Sequence, residues 1–148
     1  MKNQKLQTRN GMELLSSLCK EKFLILLYFT EQNTPSCTKQ LLSFKEEIKT
    51  LKQYPMQVLA VSVDKFTDLI LFEKKLNGLP FEIATDVNGS LAKKIGIFDN
   101  DLQKTNRSVI ILNQLCEVIY LNPFYQPDNI NDFTAVFSFL EKMNFITE

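Results

Sequence analysis

Thr34-Pro35-Ser36-Cys37 stands where an apolar run, Phe23 to Phe29, gives way to a helix-like pattern. A cysteine at such a seam has two readings. It can pack as a small apolar side chain, or it can act as a nucleophile. A helix N-terminus leaves backbone N–H groups without intrahelical partners and carries partial positive charge. Both stabilise a thiolate, and a cysteine so placed can ionise near or below neutral pH. The chain contains no histidine, which excludes Cys-His and Ser-His-Asp catalysis and most zinc sites. Its three cysteines, Cys19, Cys37 and Cys116, form no C-x-x-C, and their spacings are too wide for a metal knuckle. An odd count with these spacings argues against a disulfide scaffold and for a reducing compartment.

The elements that would position Cys37 follow from periodicity. FLILLYF (23–29) is apolar without alternation, as a strand buried on both faces should be. From Thr38 to Gln53, Leu41, Phe44, Ile48 and Leu51 recur at helical spacing, and Tyr54-Pro55 stops the helix. MQVLAVSV (56–63) reads as a second buried strand. Asp64 to Asn77 reads as a helix ended by Asn77-Gly78. A short strand (79–86), a short helix (88–94) and a polar loop (97–106) come next. RSVIILN (107–113) and EVIYL (117–121) read as a hairpin. Ile130, Phe133, Val136, Phe137 and Leu140 mark a last amphipathic helix. Residues 1–11 are polar and expected to be loosely held. Strands alternating with helices imply parallel pairing, and the hairpin must be antiparallel. The expected class is α/β with a thioredoxin-like fold, in one domain over residues 1–148. Arg107 then opens a strand beside Phe23–Phe29, running the opposite way.

TPSCT (34–38) resembles the active loop of the peroxiredoxins, the alkyl hydroperoxide reductase and thiol-specific antioxidant family. The surroundings resemble it too: LYF before the loop, VLAVSVD after the helix, LPF and TD further on, then Arg107-Ser108. The likeness covers roughly residues 11–142 and looks nearest to the bacterioferritin comigratory proteins. It implies the peroxiredoxin strand-helix insertion in a thioredoxin-like sheet, with a shortened N-terminus. It implies that Cys37 is the nucleophile that opens a peroxide O–O bond and becomes a sulfenic acid. By the same likeness Thr34 holds a peroxide oxygen, and Arg107 favours the thiolate and steadies the shifting charge. Main-chain N–H groups of Ser36 and Cys37 add donors, and Gln40 hydrogen-bonds Arg107. No cofactor and no metal are implied.

Three departures from the family pattern bear on function. Thr30 stands where the motif's first proline is expected. Leu42 stands where the comigratory subgroup often has its resolving cysteine. No cysteine follows Cys116. Cys19 precedes the Phe23 strand, whereas Cys37 follows it. Seven strand residues span roughly 20 Å, and a disulfide needs Cα atoms within about 7 Å. The strand from Arg107 carries Cys116 to the far end as well. Cys19 and Cys116 therefore share one end of the sheet, out of reach of Cys37, and read as structural thiols. The expectation is a one-cysteine mechanism with an external reductant: thioredoxin, glutaredoxin with glutathione, or a small thiol. The alternative is a redox sensor or adaptor on the same fold with weakened catalysis. A thiol–disulfide oxidoreductase is disfavoured, because the attacking position of its C-x-x-C falls on Thr34.

The charges balance, 17 basic against 17 acidic, which gives no electrostatic reason to expect nucleic acid or an anionic membrane. The longest apolar run is too short to span a bilayer. A cytoplasmic protein, monomer or homodimer, is expected.

Overall fold

Phe23–Tyr28 (β3) is a central strand of the sheet in the computed structural model, which describes residues 1–29 and 35–143. Its residues Leu24 to Tyr28 are inaccessible to solvent, which explains the run without alternation. Met56–Ser62 (β4) pairs with it in parallel and Ser108–Leu112 (β8) antiparallel, Tyr28 facing Ser108. Glu82–Thr85 (β5) extends the sheet in parallel beyond β4, and Val118–Asn122 (β9) extends it antiparallel beyond β8. Lys5–Thr8 (β1) and Gly11–Leu14 (β2) form a hairpin on β5, giving the order β2-β1-β5-β4-β3-β8-β9. The mixed sheet is the one expected.

Helices cover both faces. Ile25, Leu27 and Phe29 pack with Cys37, Leu41 and Phe44 of Pro35–Glu46 (α2), Leu69 and Phe72 of Phe66–Lys75 (α4), and Val136 and Leu140 of Ile130–Lys142 (α6). The alternate residues Leu24, Leu26 and Tyr28 pack with Leu15 and Leu18 of Leu15–Leu18 (α1) and with Leu91 and Ala92 of Ser90–Ile95 (α5). The two-residue period of a strand thus splits one apolar run between two cores. Phe44 stacks among Tyr125, Phe133 and Phe137, with centroids 6.2, 5.3 and 6.3 Å away, and ties α2 to α6. Lys45 Nζ donates to Leu76 O and Gly78 O at 2.9 and 2.7 Å, so α2 also holds the last turn of α4.

Three expectations need correction. Residues 1–11 are not loosely held: Leu6 is fully buried and Thr8 nearly so, because the hairpin closes the β5 edge of the sheet. The helix expected over 38–53 begins at Pro35 and breaks at Glu47 before Ile48–Leu51 (α3). The loop 97–106 contains a small antiparallel pair, Phe98–Asp99 (β6) with Lys104–Thr105 (β7).

Candidate active site

Cys37 is the third residue of α2, in its first turn, and it is fully buried. Arg107 lies immediately before β8. Antiparallel pairing with β3 brings it to the same end of the sheet, and its Nη2 donates toward Cys37 Sγ at 3.7 Å. The guanidinium and the sulfur, expected to meet, do meet. Arg107 is fixed through its main chain, since Tyr125 N–H donates to Arg107 O at 2.9 Å. Ser108 Oγ donates to Asn106 O at 2.9 Å and to Pro123 O at 3.3 Å, which binds the loop after β9 to the same corner. Tyr125 is a buried anchor in that loop, whereas neighbouring Phe124 points outward.

Gln40 differs from expectation. It does not hydrogen-bond Arg107. Its Nε2 donates to Tyr28 O at 3.2 Å and to Ser108 O at 3.5 Å, linking α2 to the paired residues that end β3 and begin β8. The reason is geometric: one turn beyond Cys37, its amide sits over the strand ends, and two buried carbonyls compete for its donors. Among the described residues, Gln40 Oε1 and Arg107 Nε have no hydrogen-bond partner and are buried. Thr34 and Thr30 lie outside the described residues. Ser36 contributes its main chain to the first turn of α2.

A buried polar cluster at this end of the sheet escaped the sequence reading. Asp86, fully buried after β5, accepts from Tyr28 OH at 3.0 Å and from Leu91 and Ala92 N–H at 3.0 and 2.8 Å. Burial pushes its carboxyl above the usual range, against the pull of those hydrogen bonds. Burial first, then Asp86, holds the Tyr28 phenol well above its ordinary value. The aspartate ahead of a short helix was a capping signal, but it reaches amides five and six residues on, past ordinary N-cap spacing. Thr85 Oγ1 donates to Asp64 O at 2.9 Å and braces the loop after β4.

None of the three cysteines is in a disulfide, and all are buried. Cys37 belongs to the core on one face of the sheet, Cys19 and Cys116 to the core on the other. Among the described residues, no group of three or more Cys, Asp or Glu could hold a metal. A cleft of about 630 Å³ opens beside Lys20, Lys52 and Phe81, at the end of the sheet away from Cys37.

The model of the AhpC/TSA family matches residues 1–121. The chain belongs to the AhpC/TSA family. It is a peroxiredoxin, and this family's chemistry is thiol-dependent peroxide reduction. Peroxiredoxin Q of Sedum lineare, a chloroplastic protein, is 27% identical over 131 residues, covering 86% of this chain and 69% of the relative. The Populus jackii counterpart is 28% identical, with 86% and 61% covered. The chain thus spans about two thirds of the length of these relatives. The fold superposes on the bacterioferritin comigratory protein of Xanthomonas campestris with a TM-score of 0.80 at 17% identity, covering 95% of this chain and 91% of that one. For BcpB of Mycobacterium tuberculosis the TM-score is 0.82 at 17% identity, with 93% and 91% covered. The relatives and solved structures that it resembles are thus named as peroxiredoxin Q and bacterioferritin comigratory proteins.

Proposed function

We propose that this peroxiredoxin reduces hydroperoxides through Cys37 in a one-cysteine cycle closed by an external thiol. The observation that carries the reading is the 3.7 Å approach of Arg107 Nη2 to Cys37 Sγ at the first turn of α2. The Cys37 thiolate attacks the terminal peroxide oxygen. The O–O bond breaks, the departing oxygen takes a proton and leaves as an alcohol or water, and Cys37 becomes a sulfenic acid. Arg107 faces the charge as it moves from sulfur to oxygen, and the N–H groups of Ser36 and Cys37 add donors where that charge develops. Thr34, by its place in the TPSCT motif, holds the second peroxide oxygen. Gln40 keeps α2 in register with β3 and β8, and so keeps the sulfur beside the guanidinium.

The reductant comes from outside, because Cys19 and Cys116 belong to the core across the sheet from Cys37. Thioredoxin, glutaredoxin with glutathione, or a small thiol supplies the electrons, in a reducing compartment taken to be the cytoplasm. The Xanthomonas campestris neighbour is described by its alkyl peroxide reduction activity. Alkyl hydroperoxides are accordingly proposed as substrates beside hydrogen peroxide.

The test is stopped-flow oxidation of the pure protein by hydrogen peroxide and by an alkyl hydroperoxide. One thiol should be lost rapidly in the wild type and none rapidly in Cys37→Ser. Turnover should then appear with one of the three reductants and not require Cys19 or Cys116. Oxidation no faster than that of free cysteine would discard the peroxidase and leave a redox sensor or adaptor on this fold.

A further inference from the structure

Cys19 ends α1, its N–H donating to Leu15 O at 3.0 Å. Cys116 ends the turn from β8 to β9, its N–H donating to Asn113 O at 3.0 Å. These distant segments of chain meet in one apolar core, which also holds Leu15, Leu18, Leu24 and Leu112. Cys19 is fully buried and Cys116 is 4% exposed. Cys19 leads into β3 and Cys116 follows β8, whose Leu24 and Leu112 are paired, so the two thiols lie at one end of the sheet and on one face of it. The backbone of Cys116 is unusual: its φ of 62° lies in the left-handed region that Gly and Asn adopt most readily. A cysteine held there, with its side chain turned inward, is retained against a conformational cost. The Cys37 chemistry makes no use of either thiol.

We propose that Cys19 and Cys116 are a second redox site, a dithiol that closes to an intramolecular disulfide under hydroperoxide load and clamps α1 to the β8–β9 turn. Cys116, the one with residual exposure, meets the oxidant first. Its sulfur takes the terminal oxygen as the O–O bond breaks, giving a sulfenic acid and an alcohol. Cys19 sulfur then attacks the Cys116 sulfur, the S–S bond forms, the S–O bond breaks, and water leaves with the Cys19 proton. Two thiols and one hydroperoxide thus become one disulfide, one alcohol and one water. Burial, with Cys116 second, pushes the Cys19 thiol up to about 12, so the pair closes slowly. Oxidant that persists reaches it, whereas a brief pulse does not. The closed bond restricts the unfolded chain over a long loop and so stabilises the fold. This inference uses only these two thiols and stands independently of the role assigned to Cys37.

The experiment uses the full chain carrying Cys37→Ser, exposed to excess hydrogen peroxide, then denatured, alkylated and mapped by peptide mass spectrometry. Cys19 and Cys116 should lose alkylation in parallel and appear in one cross-linked peptide pair without added oxygen. Dithiothreitol should reverse this, and the oxidised protein should melt several degrees higher than the reduced. Cys116→Ala should leave Cys19 fully alkylated after the same treatment. Mapping of the wild-type chain needs no variant and should return the same pair. The proposal is overturned if both thiols still alkylate after oxidation, or if either gains oxygen with no cross-link.

Discussion

Cys37 and Arg107 lie 70 residues apart in sequence and meet at 3.7 Å. The cysteine was legible as a candidate from its position alone, since the strand-to-helix seam is encoded locally. The arginine was legible only with the family motif in view, because a single Arg ahead of a strand is otherwise an ordinary surface residue. Its chemistry is testable at this scale. Arg107→Ala should slow peroxide oxidation of Cys37 by about 10²–10³, the range for losing one positioned donor to a developing anion. Stopped-flow rates at fixed pH measure it, and a rate unchanged from wild type removes Arg107 from the mechanism. Gln40 shows the limit of residue-level reading. Its spacing from Cys37 was visible, but its partners were set by which carbonyls end β3 and begin β8.

Elements carry the next level of cause. The ends of β3 and β5 are joined by the Tyr28–Asp86 hydrogen bond, and Asp86 in turn holds the first turns of α5. An aspartate whose carboxyl is raised by burial binds its proton more tightly folded than unfolded. Its titration therefore contributes stability below the unfolded value, and that contribution is lost as pH rises through the folded one. Asp86→Asn cannot titrate. The stability of wild type relative to Asp86→Asn should fall as pH rises from 3.8, the ordinary carboxyl value, through the raised one. Urea unfolding of both proteins across that range checks it, and parallel pH profiles would refute it. The β1–β2 hairpin makes the same point about elements. Its strands are short and polar enough to read as a loose end, yet Leu6 is fully buried because the β5 edge receives it.

At the scale of the molecule, one strand serves two cores. Ile25 faces α2, α4 and α6, and Leu26 faces α1 and α5, both fully buried. Ile25→Ala and Leu26→Ala should each cost about 2–5 kcal/mol. Because β3 couples the faces, each variant should still unfold in a single transition seen alike by far-ultraviolet circular dichroism and tyrosine fluorescence. Separate transitions for the two probes would mean that the faces unfold independently. The order of the main strands and helices from β3 onward, the buried character of β3 and β4, and the place of Cys37 at a helix start were determined by sequence. Apolar runs, helical periodicity and turn residues act over a few positions, so they can be read without a partner. The tertiary structure alone decided which polar groups meet. It set Gln40 on strand carbonyls and Asp86 under Tyr28 and α5. Each of those pairings depends on where separate elements end in space, and no local pattern in the chain records that.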